Sequence, residues 1–171
     1  CHTLILGLES GDDTILAVTK KDYVRAEVLA GFQRCAAHGL RTVATVIIGL
    51  PEETEDSFQR TMAFLKTVPV DFVSFNVAVP RMGTPLRDQA LEHQLIAPSV
   101  QVMDQSGSEV AMPGFTLSRE QIASMRQRAV REFYFNTKYL KNRLLGLRSF
   151  EEARIQMRQG LGLLRNYFAG A

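Results

Sequence analysis

Residues 43–54, VATVIIGLPEET, constrain the fold of this chain more than any other stretch. Val43, Ala44, Val46, Ile47 and Ile48 form a largely β-branched apolar run that stops at Gly49. Pro51 and the acidic turn Glu52-Glu53-Thr54 then lead into the next element. β-Branched side chains suit a pleated strand, and a nearly continuous apolar run reads as a strand buried on both faces of a parallel sheet. Gly49 lets the chain bend, or lets a ligand approach the backbone, where a Cβ would block it. In parallel α/β proteins ligands bind beyond the carboxyl ends of the strands, so Gly49-Leu50-Pro51-Glu52 is the first place to look for a site.

The flanking sequence repeats the same unit. Upstream, Thr3-Leu4-Ile5-Leu6 reads as a buried strand ending at Gly7-Leu8-Glu9-Ser10-Gly11. A short helix should follow, capped by Asp12 or Asp13, with Ile15, Leu16 and Val18 inward and Lys20-Lys21 at its end. Over residues 22–38, Val24, Val28, Leu29, Phe32 and Cys35 recur at helical spacing, and Gly39 closes the pattern. Downstream, Thr54 is placed to cap a helix through Phe58, Met62, Phe64 and Leu65, with Glu55 and Asp56 in its first turn. Residues 71–79 read as a third strand stopped by Pro80, and Thr84-Pro85 as N-cap and first residue of a helix through Leu86, Ala90 and Leu91. Strands alternating with helices predict an α/β fold with parallel strands and right-handed crossovers. Three such units amount to three-eighths of an eight-stranded barrel or half of a six-stranded partial barrel, and leave edge strands bare.

Beyond residue 97 the character changes. Residues 98–117 hold Pro98, Gly107, Pro113 and Gly114 without a period and read as a connecting loop or weak hairpin. Residues 118–171 are Arg-rich and helical in pattern over 119–145 and 150–168, with capping boxes at Ser118/Gln121 and Ser149/Glu152. Phe133, Tyr134, Phe135, Tyr139, Tyr167 and Phe168 are the expected core and docking anchors there. Charge divides at the same place: residues 1–117 hold 9 Lys and Arg against 14 Asp and Glu, a net of −5, and residues 118–171 hold 11 against 4, a net of +7. A basic segment can meet nucleic acid, a membrane surface or an acidic partner, but solvated helix faces account for such charge more often. No apolar run reaches the roughly 20 residues of a membrane helix, and two cysteines, Cys1 and Cys35, do not make a disulfide framework. A cytoplasmic protein with no membrane span is expected. The chain opens within a strand and without a start-like Met, which reads as a chain cut mid-domain.

Three strand-end signatures, GLESG (7–11), VIIGLPEET (46–54) and VAVPRMGTPL (77–86), in this order, resemble the radical S-adenosylmethionine (SAM) enzymes. More narrowly they resemble the branch that usually carries an N-terminal cobalamin-binding domain. The similarity is good over residues 3–95, and the spacing of residues 116–169 resembles that branch's C-terminal extension less specifically. The resemblance implies that residues 1–97 are the C-terminal half of a radical SAM partial (β/α) barrel, with its fourth, fifth and sixth strands, followed by the loop and a basic α-helical extension.

By the same resemblance Glu9 takes the ribose hydroxyls of SAM, with Ser10 beside it. An acceptor-only carboxylate suits two O–H donors. Lys21, twelve positions on, aligns with the residue that pairs with the SAM carboxylate, with Lys20 as the fallback. Ile47 and Gly49 fall on the adenine-contacting motif of the fifth strand, although Thr45 stands where that motif often has Gly. Val79 and Pro80 fall on the sixth-strand backbone that flanks the adenine, and Arg81 is a candidate for an anionic substrate. Read without the resemblance, Glu9 is a strand-end carboxylate, Lys21 a helix-end cation, Gly49 and Pro51 turn residues and Arg81 an exposed loop arginine. Glu52 and Glu53 read as serving the helix start, and none of His2, His38 and His93 has ligand spacing for a metal.

The implied cofactors are SAM, a [4Fe–4S] cluster and, for this branch, cobalamin. The family's cluster needs three cysteines in a CxxxCxxC loop, and Cys1 and Cys35 are 34 residues apart. The cluster ligands and any cobalamin domain are therefore expected outside this chain, in the N-terminal half of the same barrel or in a partner chain. The parent would cleave SAM reductively to methionine and a 5′-deoxyadenosyl radical that abstracts hydrogen from a small-molecule substrate. Methyl transfer from methylcobalamin is the first expectation, with oxidative cyclisation or rearrangement as the alternative. Nucleic acid is not an expected partner. A reading of another class is a non-catalytic half-barrel that binds or assembles with a partner chain, using the basic tail as its dock.

Overall fold

The computed structural model describes residues 1–100, 109–137, 139–141 and the single positions 154, 158 and 162. Its elements are β1 (Thr3–Glu9), α1 (Asp13–Val18), α2 (Arg25–Ala37), β2 (Arg41–Ile48), α3 (Glu55–Leu65), β3 (Phe72–Val77), α4 (Pro85–Glu92) and α5 (Arg119–Tyr134). The strands form one parallel sheet in the order β1-β2-β3. This is the α/β architecture of a partial barrel with a helical extension, as the alternation of the sequence requires. The chain divides into two compact units, Cys1–Ala129 and Val130–Ala171. Among the described residues no helix is long and apolar enough to cross a membrane.

Register sorts the strand residues onto two unlike faces. Thr42, Ala44, Val46 and Ile48 of β2 are buried, as are Val73, Phe75 and Val77 of β3, and the pairs Ala44–Val73, Val46–Phe75 and Ile48–Val77 put them on one face. α2 packs against β2 and buries Phe32, while α3 buries Phe58, Thr61, Met62 and Leu65. Phe32 and Phe58 are each 1% exposed, and full burial of such a side chain contributes about 1.5–3 kcal/mol. Val43, Thr45 and Ile47, with Ser74 and Asn76, are only half-buried on the opposite face. The expectation that residues 43–48 are buried on both sides is thus corrected. Helices cover one face, and part of the other fronts an open hollow. In β1, Leu8 is buried but Ile5 is 71% exposed, because the register puts Ile5 beside Val43 on the face that the helices leave uncovered.

The helix starts follow their capping chemistry. Asp12 takes the Thr14 and Ile15 N–H groups at 2.8 and 3.2 Å. Thr54 and Ser57 exchange side-chain-to-backbone bonds at 2.9 and 3.2 Å, and Ser118 and Gln121 do so at 2.7 and 3.2 Å. Two inward assignments do not hold: Val18 is 37% and Val24 47% exposed. Val18 is the last residue of a six-residue helix, and Val24 is the N-cap of α2, one step before the buried stripe begins. Asp13 instead receives the Arg25 N–H at 2.8 Å, and Glu27 the Val24 N–H at 3.0 Å, which fixes where α2 starts. Among the described residues of 98–117 there is neither helix nor strand, and α5 stops at Tyr134. In the second unit Phe133, Tyr134 and Tyr139 pack ring against ring with centroids 4.9–5.4 Å apart. The Ser149/Glu152 box, Tyr167 and Phe168 lie outside the described residues.

Candidate functional site

The carboxyl ends of the three strands surround an open hollow of about 450 Å³. Glu9, Thr45, Ile47 and Asn76 line it from the strands, and Leu50, Ala78, Val79, Arg81 and Leu86 from the segments that follow. Ile15, Leu50 and Ala78 form a small buried cluster with Ile47 and Leu86 against it, so the floor of the hollow is apolar and backed by packed side chains.

Glu9 owes its place to backbone irregularity. The β1–β2 register slips between Gly7 and Glu9, and Glu9 itself has φ 61°. A bulge re-aims a side chain at a strand end, and a non-glycine residue in the left-handed region is held there only by its surroundings. The Glu9 carboxylate folds back over Gly7, where a Cβ would stand 2.7 Å from Oε1. Lys21 Nζ is 3.7 Å from the same oxygen. The other oxygen, Oε2, is buried and has no hydrogen-bond partner among the described residues. A buried unsatisfied carboxylate oxygen is costly, and here it is an acceptor with capacity for a donor. Tyr23 donates to the Gly7 carbonyl at 3.3 Å. Burial, and then the charge of Glu9, push its phenol up to about 12, so it remains a neutral donor.

The other expected site residues are distributed as follows. Ile47, Val79 and Arg81 line the hollow with Glu9. Ser10 is buried away from it: its Oγ meets Thr61 Oγ1 at 3.2 Å and receives the Asp12 N–H at 3.2 Å. Pro80 is buried, and its carbonyl accepts from Arg87 Nη1 at 3.3 Å. Gly49, with φ 82°, turns the chain at the end of β2, and a Cβ there would stand 3.0 Å from Ile122 Cδ1. Of the two lysines, Lys21 is the one brought to Glu9, while Lys20 is exposed.

Sequence reasoning missed several members of this neighbourhood. Gly7 acts through its missing Cβ and Tyr23 through its hydroxyl on the Gly7 carbonyl, which no spacing rule announces. Asn76 was not singled out and Thr45 only as a replacement for glycine; both reach the hollow because they alternate with the buried positions of their strands. Glu53 does not serve the α3 start as expected: it is 2% exposed, and Oε2 accepts the Gly49 N–H at 2.5 Å. Burial, opposed by the Gly49 and Leu50 N–H groups and reinforced by the charge of Asp12, pushes its carboxyl up to about 7.

This donor set fits a nucleoside-bearing ligand with a carboxylate. Glu9 offers acceptors for vicinal hydroxyls, Lys21 a cation, and Ile47, Leu50 and Val79 an apolar wall for a flat ring. It does not fit an iron–sulfur cluster, because the chain holds two cysteines. Cys1 is exposed, Cys35 lies on α2, and no group of three or more His, Cys, Asp or Glu among the described residues could hold a metal ion.

Residues 1–65 match the family model described as the Radical SAM superfamily. An uncharacterized methyltransferase of Pyrococcus horikoshii is 27% identical over 98% of this chain and 36% of its own length. A tRNA-2-methylthio-N(6)-dimethylallyladenosine synthase of Pseudomonas savastanoi pv. phaseolicola is 30% identical over 76% of this chain and 30% of its own length. The protein of the same name from Aromatoleum aromaticum is 37% identical over 51% of this chain and 20% of its own length. The chain therefore spans about a third of the length of the first two of these relatives. With the strand-end signatures on a parallel sheet, the family match over residues 1–65 and relatives that extend it along the chain, this protein belongs to the radical SAM superfamily.

Proposed function

We propose that this chain supplies the SAM-binding ends of β1, β2 and β3 and one wall of the substrate cavity in a radical SAM enzyme of the methyl-transferring kind. The observation that carries this reading is Glu9, aimed by a bulge and a left-handed residue so that one carboxylate oxygen stands buried and unpartnered. Glu9 would take the ribose hydroxyls and Lys21 the amino-acid carboxylate. Ile47 and the Val79-Pro80 backbone would flank the adenine, Gly49 would shape the turn beside it, and Ser10 would steady the loop after Glu9. Arg81, exposed at the rim of the hollow, would meet an anionic part of the substrate. Bound SAM supplies the radical chemistry, and this chain's residues bind it, orient it and keep water from it. The cluster would come from cysteines outside this chain, and the chain alone would be inactive. The relative named as a methyltransferase supports methyl transfer, and cobalamin as the methyl carrier is the finer form of the proposal.

A second reading has a specific observation behind it. Relatives named for a tRNA adenosine modification favour an RNA substrate over a small molecule. Binding of a labelled tRNA adenosine stem-loop, against a sequence-scrambled control, separates the two.

The test of the proposal is SAM affinity by equilibrium dialysis, in the wild type and in Glu9→Gln and Glu9→Ala. Each charge-assisted hydrogen bond is worth about 1.5–3 kcal/mol, so Glu9→Gln should weaken binding by about tenfold or more and Glu9→Ala further. Thermal midpoints should hold. Unchanged affinity in Glu9→Ala, with a lowered midpoint, would make the carboxylate a structural residue.

A further inference from the structure

The sheet face that the helices leave uncovered is sorted into cross-strand rows. Register sets Ile5, Val43 and Phe72 side by side near the amino ends of the strands, and Gly7, Thr45 and Ser74 in the row above. Asn76 follows on β3, beside Ile47. The lowest row is apolar and suited to packing. The middle row carries nothing larger than threonine, so the hollow deepens there, and both Thr45 and Asn76 line it. Asparagine is depleted from strands, and a face that only awaited apolar cover would gain from Val or Ile at positions 74 and 76. The bonding between these two residues is directional. Ser74 Oγ donates to Asn76 Oδ1 at 3.1 Å. An asparagine amide has one acceptor oxygen and two N–H donors. With the oxygen turned to Ser74, the Nδ2 group is left on the opposite side of the amide, without a partner among the described residues. The Thr45 hydroxyl has none there either. The charged members of the lining are Glu9, whose carboxylate folds back toward Lys21, and Arg81.

We propose that Thr45 and Asn76 form a seat for an uncharged amide group on the second ligand, the substrate, with Ser74 as the positioning residue that orients the Asn76 amide. Asn76 Nδ2 donates to the amide carbonyl of the ligand. The Thr45 hydroxyl, which can give or take a proton, meets the same group from the neighbouring strand. In the SAM reading Glu9, Lys21 and the Ile47 wall are occupied by SAM, so a substrate is recognised by what remains. At this depth of the hollow the remaining polar groups are Thr45 and Asn76. A carboxylate here would lose its hydration beside Glu9 with no cation in the seat, whereas a neutral amide exchanges water for matched hydrogen bonds. That the amide belongs to a second ligand rests on the SAM reading above; the seat itself does not.

The test is a titration of the intact, ¹⁵N-labelled chain with propionamide, propionate and propylammonium, three probes of one shape that differ in charge and donors. Propionamide should shift the Asn76 side-chain amide signals and the Thr45 backbone signal, with a Kd in the millimolar range for so small a ligand. Propionate and propylammonium should leave them in place. Thr45→Val is nearly isosteric and should weaken propionamide by about threefold to tenfold, the loss of one neutral hydrogen bond, with the thermal midpoint held. Asn76→Asp puts an acceptor where the donor was and should abolish the response, read at Thr45. Ser74→Ala frees the amide to turn and should weaken binding by about twofold to threefold, less than loss of the bond itself. No response to propionamide, an equal response to all three probes, or unchanged affinity in Thr45→Val and Asn76→Asp overturns the seat. The propionamide shift should persist with SAM at saturation; if SAM displaces the probe, the seat belongs to the SAM site and the assignment to a second ligand is overturned. If the wild type bound no SAM, the reading of the function would fall, and the three probes would still decide the seat.

Discussion

At the scale of single residues, the site depends on an absent side chain as much as on the carboxylate. Gly7 leaves room for Glu9 Oε1, which would stand 2.7 Å from any Cβ placed there. Gly7→Ala should not strain the backbone, since the position is exposed and its φ is not positive. The carboxylate would swing away instead. Stability should stay within about 0.5 kcal/mol, while SAM affinity falls and the Lys21–Glu9 pair opens; calorimetry and dialysis on one variant check both halves. Glu53 gives a second expectation, with its sign fixed by linkage. Its folded pKa, about 7, lies above the reference value of 4.5. Between these the native state binds more protons than the unfolded chain, so stability falls as pH rises from about 4.5 through about 7 and then levels. Urea midpoints measured across that range should show the slope, and Glu53→Gln should flatten it.

Elements carry a different kind of argument, because what matters is how each one ends. The turn after β2 cannot accept a side chain at Gly49 cheaply: φ is 82° and Ile122 Cδ1 is 3.0 Å from the Cβ position. Gly49→Ala should cost about 1–3 kcal/mol, read as a lower denaturant midpoint with an unchanged slope. The free edge of β3 is managed by α5, whose Arg126 Nε donates to the Phe75 carbonyl at 2.9 Å. Arg126→Met keeps the apolar stem and removes the donor. It should cost about 1 kcal/mol, with faster amide exchange in β3 than in β2.

For the molecule as a whole the two edges of the sheet differ. β3 has Arg126 against it, whereas among the described residues no strand pairs with the outer edge of β1, and Ile5, on the uncovered face of that strand, is 71% exposed. An open, apolar strand edge is a template for pairing with another chain. The isolated chain should therefore self-associate in a concentration-dependent way, and Ile5→Lys should suppress this without lowering the thermal midpoint. Light scattering checks the expectation, and a strictly monomeric wild type at high concentration would count against an open β1 edge.

The order of strands and helices was legible in the sequence because it rests on local chemistry. β-Branched runs make strands, Thr54 and Ser118 cap helices through their own hydroxyls, and a proline after Thr84 starts α4. Glu9, Ile47, Val79 and Arg81 were legible as residues at strand ends, which is where the hollow lies. Only the tertiary structure decided which face of residues 43–48 is covered, since an apolar run does not say whether a second layer lies over it. It also decided that Ser10 turns to Thr61 and that Glu53 turns back to Gly49. Tyr23 and Gly7 joined Glu9 the same way. Each of these depends on a register slip, a left-handed residue or a contact across the chain, and such features are set by packing between segments, not by the residues within one.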